Sequence, residues 1–193
     1  MADLNLSLSW GKCTIFIKKL GTGGGNWKKL ATPVEDSTNL TPTQGDKLEA
    51  KIEGGENEAV KYKKNTYQLV YNIRKAGSRK QPVPTSDGVV SGEYAVILAP
   101  EDLSTDGFYI ERSSVNVQDN FTTADGAIWA ITHDALTPST AGTNTVKWGK
   151  VTLGTTGTGD NVKQTVAFAE NTDMMAEGQS TAVTVAASQY EEQ

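Results

Sequence analysis

The segment Lys47-Leu48-Glu49-Ala50-Lys51-Ile52-Glu53 alternates charged and apolar side chains one by one. A helix of 3.6 residues per turn cannot sort that period of two into one wet and one dry face, whereas a strand does so automatically. The segment therefore reads as a half-buried strand with Leu48, Ala50 and Ile52 on one face. The same period returns in Tyr67, Leu69, Tyr71 and Ile73, with Gln68, Asn72 and Arg74 between them. Gly54-Gly55 offers the positive φ that a hairpin turn needs, so these two strands are expected to pair antiparallel. Further strand patterns cover residues 4–10, 12–18, 94–98, 107–112, 127–132, 146–153, 162–169 and 182–186. Helix signals are few. Pro100-Glu101-Asp102 resembles the first turn of a short helix stopped by Gly107, and residues 173–177 suit another turn or two. The expected fold is mainly β, an antiparallel sandwich or partly closed barrel with at most one or two short helices and long loops.

A chain of 193 residues suits one β domain, taken as residues 1–187 with a long loop at about 20–45, followed by a polar, acidic, frayed tail at 188–193. Hydrophobic residues make up 37%, enough for a core but low enough to leave segments exposed. The net charge of −5 repels phosphate and argues against a nucleic-acid reader. Residues 1–10 carry no basic leader with an apolar core, and the most apolar run, residues 94–99, is far short of the roughly 20 residues a membrane helix needs. The single Cys13 excludes an intrachain disulfide framework and fits a reducing compartment. Cytoplasmic synthesis without a membrane partner is the expectation.

Motifs for chemistry fail one after another. Gly21-Thr22-Gly23-Gly24-Gly25-Asn26 lacks the last glycine of a dinucleotide fingerprint and no helix pattern follows it. Gly11-Lys12 lacks both the earlier glycine and the following Ser/Thr of a P-loop. Ser9 and Lys12 have the spacing of a serine-acylating motif but no partner segment. His133 and Cys13 are too few for a zinc site, and His133 reads as a strand-end histidine. Glu49, Glu53, Glu56 and Glu58 fall among Lys47 and Lys51 and read as a solvated charged face. The sequons at Asn5, Asn39 and Asn120 carry no meaning without secretion. Trp10, Trp129 and Trp148 are expected in the core and Trp27 at the surface. No catalytic residue, cofactor or metal is expected.

Leu40-Thr41-Pro42-Thr43-Gln44-Gly45-Asp46, leading into Leu48-Glu49-Ala50-Lys51-Ile52-Glu53-Gly54-Gly55-Glu56 after an early strand and a long loop, resembles the tail tube proteins of long-tailed phages and prophages. The resemblance covers about the middle third of the chain. It implies a β-sandwich or partly closed barrel whose sheets join those of its neighbours in hexameric rings. Such rings stack, alongside other tail proteins, into a tube that DNA crosses without specific binding. The loop at residues 22–42 would supply contacts to the adjacent ring, with Gly23, Gly24, Gly25, Trp27, Lys28, Lys29, Pro33 and Asp36 as candidates, and Leu48, Ala50 and Ile52 would mark an inter-subunit strand. Such proteins usually pack a helix on the sheet, and no long amphipathic period is visible here. From the residues alone, a carbohydrate- or surface-binding β-sandwich stays open as the alternative, on the tryptophans and Thr/Gly loops.

Overall fold

The computed structural model describes residues 11–22, 25–158 and 162–193. The strand pattern at residues 4–10, with Trp10, Ser9 and the Asn5 sequon, lies outside them, as do the candidate contact residues Gly23 and Gly24. The chain is mainly β, as expected. In order it forms β1 (Thr14–Lys19), β2 (Trp27–Lys29), β3 (Asn39–Thr43), β4 (Lys47–Lys51), β5 (Asn57–Tyr62), β6 (Thr66–Arg74), β7 (Tyr94–Ala99), β8 (Gly107–Thr122), β9 (Gly126–Ala135), β10 (Val146–Thr156), β11 (Lys163–Glu170) and β12 (Thr184–Glu192). The 3-10 turn Thr172–Met174 is capped by the Asn171 side chain, which accepts from the Asp173 N–H.

Seven strands close on themselves. The order β8–β7–β1–β2–β12–β11–β10 returns to β8 through the β10–β8 pair. All of these pairs are antiparallel except β12–β2, which is parallel. Phe16, Trp27, Ala95, Ile97, Tyr109, Val151, Val166 and Phe168 form one core from the inward residues of these strands. Beyond the ring β8 runs on, and from Ser113 to Thr122 it pairs with β9, which carries β6 and then β3 as the outermost strand. Leu69, Tyr71, Ile73, Trp129 and Ile131 from that layer pack on Ile15, Ile17 and Val96 in the second core. β1 and β7 are thus covered on both faces, the reason Tyr94-Ala95-Val96-Ile97-Leu98-Ala99 is apolar without alternation.

Ring closure depends on two glycines that face each other, Gly107 of β8 and Gly149 of β10. A Cβ on Gly149 would lie 2.0 Å from the Ala169 carbonyl oxygen, and one on Gly107 would lie 2.2 Å from that of Leu98. Both obstacles are backbone atoms of the neighbouring strands, so no side chain can move aside. Gly149→Ala is expected to destabilise the chain by roughly 3 kcal/mol, the upper end for overpacking. Gly77→Ala, where an added Cβ meets nothing, is expected to leave the urea midpoint within error.

The structure corrects several expectations. Gly54 and Gly55 do take positive φ, 104° and 89°, but the strand before them pairs with β5, not with the strand at Tyr67–Ile73. The three-residue loop Glu53-Gly54-Gly55, closed by the Ile52 N–H donating to the Glu56 carbonyl at 3.0 Å, joins the segments immediately beside it, which fixes β5 as the partner. β6 pairs instead with β3 and β9. The strand read as half-buried, residues 47–53, is exposed along its whole length. Inside the span read as one long loop, residues 20–45, the chain forms β2 and β3. Residues 188–192, read as a frayed tail, complete β12, where Tyr190, Glu191 and Glu192 pair with Trp27, Lys28 and Lys29. No helix starts at Pro100. The Asp102 carboxylate accepts from the Ser104 N–H and its carbonyl from Thr105, which bends the chain into a turn.

Candidate functional site

β3, β4, β5 and β6 are one long hairpin of which only the base belongs to the sheet. Thr43 faces Thr66 at the end of the β3–β6 ladder, and Lys47 faces Tyr62, four residues further along each strand, where the β4–β5 ladder begins. The register is therefore unbroken through a narrow neck. There the Lys63 N–H donates to the Asp46 carbonyl at 2.9 Å, and the Gly45 N–H donates to Asn65 Oδ1 at 3.1 Å. Gly45 is required at this point, because a Cβ would lie 2.2 Å from the Lys63 carbonyl oxygen. Pro42, which lacks an N–H, is tolerated because β3 is an outermost strand. Past the neck the strands form their own two-stranded sheet ending in the Gly54-Gly55 turn. At about 3.3 Å per residue this arm reaches roughly 25 Å beyond the neck.

Every residue from Asp46 to Thr66 is exposed. Opposed residues of an antiparallel pair share a face. One face therefore carries Leu48 with Lys61 and Ala50 with Ala59, and Ile52 continues it toward the tip. The other carries Tyr62 beside Lys47 and Val60 beside Glu49. Leu48 is 50% exposed, Ile52 47%, Val60 45% and Tyr62 53%. Glu49 sits between two ammonium groups, paired with Lys47 and with Lys51 at 3.5 Å. Hydrogen bonding to Lys47 is the main cause that holds its carboxyl below the usual range. The arm thus combines half-exposed apolar side chains on both faces with strand edges that, among the described residues, are unpaired on both sides. An isolated two-stranded hairpin of this kind is marginal in water unless something covers it.

Leu48, Ala50 and Ile52 are accordingly brought together on this arm. The other candidates scatter. Gly25 and Lys28 are exposed, and Lys29 reaches Glu192 at 3.0 Å. Pro33 and Asp36, the latter at φ 56°, line a surface pocket with Cys13 and Thr38. Trp27, expected at the surface, is only 2% exposed and belongs to the ring core, which removes it from any contact surface. Trp129 is buried as expected, but Trp148 is 38% exposed, its ring edge-on to Phe108 at 5.3 Å between centroids. Sequence reasoning missed β5, and with it Val60 and Tyr62. The signal was the Gly-Gly turn itself, which demands a partner strand directly after it.

The groups with chemical potential elsewhere are held in structural bonds. His133 is fully buried between Ser113 and Tyr71. Ser113 Oγ donates to the Tyr94 carbonyl at 2.8 Å, so it accepts from His133 Nδ1–H, and His133 Nε2 accepts from the Tyr71 hydroxyl at 2.9 Å. Burial pulls the imidazole down to about 3 and pushes the Tyr71 phenol well above its usual value. Lys147, with no exposed side-chain surface, donates to the Asn144 carbonyl at 2.9 Å and to Glu111 Oε2 at 3.3 Å. Burial raises the Cys13 thiol, whose Sγ–H donates to Thr38 Oγ1 at 3.7 Å. Among the described residues no group of three or more His, Cys, Asp or Glu side chains is arranged to hold a metal ion, and no helix is long and apolar enough to cross a membrane. No protein-family model matches the chain, and no curated protein shares significant similarity with it.

Proposed function

We propose that this chain is a structural subunit that self-assembles, without catalysis, into rings that stack as the tube of a phage or phage-like tail. The observation that carries the reading is the β4–β5 arm, a hairpin free of both cores whose apolar side chains and strand edges are covered by none of the described residues. The outer edge of β3 continues into that of β4, and β5 offers a second free edge on the opposite side of the hairpin. Two different edges on one subunit favour head-to-tail pairing, β5 of one copy beside β4 of the next, which leaves no open edge once a ring closes. Hexamers, other tail proteins as partners and passage of DNA follow from the resemblance to tail tube proteins. A net charge of −5 suits a channel wall that does not hold DNA.

Negative-stain microscopy of the concentrated protein, paired with light scattering for mass, tests the reading. Rings or tubes, with a mass that is a whole multiple of 20.6 kDa, are the expected result. A particle that stays monomeric over the whole concentration range overturns it.

A further inference from the structure

The arm's charges are equal in number but unequal in placement. Glu53, Glu56 and Glu58 are the only charged side chains from residue 52 to residue 60, whereas Lys61, Lys63 and Lys64 crowd the neck. The middle is neutralised internally, Lys47 and Lys51 both pairing with Glu49. The ends are not. Among the described residues Glu53, Glu56, Glu58, Lys61 and Lys64 take part in no ion pair, and Lys63 meets Asp46 at a highly exposed site. Glu53 and Glu56 cannot meet Lys63 and Lys64 of the same arm, since the β4–β5 ladder holds them roughly 20 Å or more apart at about 3.3 Å per residue, and Glu58 and Lys61, about 10 Å apart along β5, form no ion pair with each other.

Resting on the assembly reading above, we propose that copies stack tip to neck: the acidic tip Glu53, Glu56 and Glu58 of one copy seats against the basic neck Lys61, Lys63 and Lys64 of a second copy in the next ring. Arms set side by side at one level place tip beside tip and neck beside neck, which is repulsive at both ends. A second level in the same orientation brings the basic necks over the acidic tips and relieves both. The polarity of each hairpin thereby gives the tube one direction of growth. Each exposed pair contributes little by itself, but a ring repeats the contact once per subunit, and the sum is sensitive to salt because screening shortens to about 3 Å at 1 M ionic strength.

The test uses the full chain in four forms: unmodified, the tip variant E53K/E56K/E58K, the neck variant K61E/K63E/K64E, and the two sets combined. Tube length is read by negative-stain microscopy at about 0.1 M and 1 M salt, with circular dichroism as a check that each form is folded. The unmodified chain is expected to give tubes at low salt and single rings at high salt. Either triple variant is expected to give rings without tubes, and the combined variant, with both poles reversed, to recover tubes. Triple variants that form tubes of full length, or a combined variant that stays at single rings, overturn the tip-to-neck contact while the ring reading stands. An unmodified chain that forms no oligomer at either salt overturns both.

Discussion

Between pH 7 and pH 5 the protein is expected to lose about 2 kcal/mol of stability through one side chain, His133. The folded imidazole is pulled from the ordinary 6.5 to about 3 by burial, so the unfolded chain takes up a proton first. Stability therefore begins to fall as pH drops through about 6.5 and goes on falling until about 3, each unit costing about 1.4 kcal/mol. His133 is the only histidine, so no second imidazole contributes. The carboxylates held low by partners, Glu93 by Arg112 and Asp106 by Lys150, add their own losses only below about pH 5. Burial is the physical reason for the depressed value, and the hydrogen bonds around the ring suit the neutral form. Ser113 Oγ spends its hydrogen on the Tyr94 carbonyl and Tyr71 spends its hydrogen on Nε2, so a proton added at Nε2 meets a hydroxyl hydrogen inside an apolar layer. Urea denaturation at pH 7 and pH 5 measures the effect. His133→Gln is expected to be less stable at pH 7 and to show almost no change between the two pH values. A variant that keeps the full slope would place the proton uptake elsewhere.

What the sequence makes legible here is which residues share a face, and what it hides is what lies against that face. Tyr94–Ala99 could be read directly, because burial on both sides leaves no polar position to disguise it. β1, β9, β10 and β11 were also legible, since their alternation or apolar content survives in a local window. β12 was not. Its last residues, Ser188-Gln189-Tyr190-Glu191-Glu192, read as a polar tail, yet the ladder to β2 and the edge-on contact of Tyr190 with Phe16, 5.0 Å between centroids, hold them. Trp27 was misplaced for a similar reason. Its neighbours are a glycine loop and two lysines, and nothing local reveals that β2, three residues long, turns this one side chain into a closed ring. The distal half of β8 carried an alternation of Ser113, Val115 and Val117 with Ser114, Asn116 and Gln118, but the polar content masked it. In the arm, Leu48, Ala50 and Ile52 were correctly read as one face. The inference that such a face must be covered by the same chain is the step that failed, because periodicity carries no information about whose surface provides the cover.

That failure leads to the largest effect expected of any change in this chain. Replacing residues 47–62 by Asn-Gly, which suits a tight turn between Asp46 and Lys63, removes the arm while keeping the neck bond between the Lys63 N–H and the Asp46 carbonyl. None of the excised residues belongs to either core. The shortened chain is therefore expected to keep the stability of the parent to within about 0.5 kcal/mol, the range of surface changes away from core, caps and buried networks. Assembly, in contrast, is expected to vanish. Leu48, Ile52, Val60 and Tyr62 each keep about half of their surface exposed, and covering that remainder is worth roughly 1 kcal/mol per side chain, repeated at every subunit contact of a ring. In the proposed ring the strand edges of β4 and β5 would supply the ladder bonds that orient the contact. A finer variant, Leu48→Lys with Ile52→Lys, keeps the hairpin and its edges but charges one face. It is expected to need at least ten times more protein to form rings, since losing about 1.4 kcal/mol at a contact is already a tenfold change. Sedimentation velocity on parent, deletion and double-lysine chains separates the cases. A deletion chain that still forms rings at the parent's concentration would move the interface off the arm, whereas a deletion chain that unfolds would show that the arm supports the cores it does not touch.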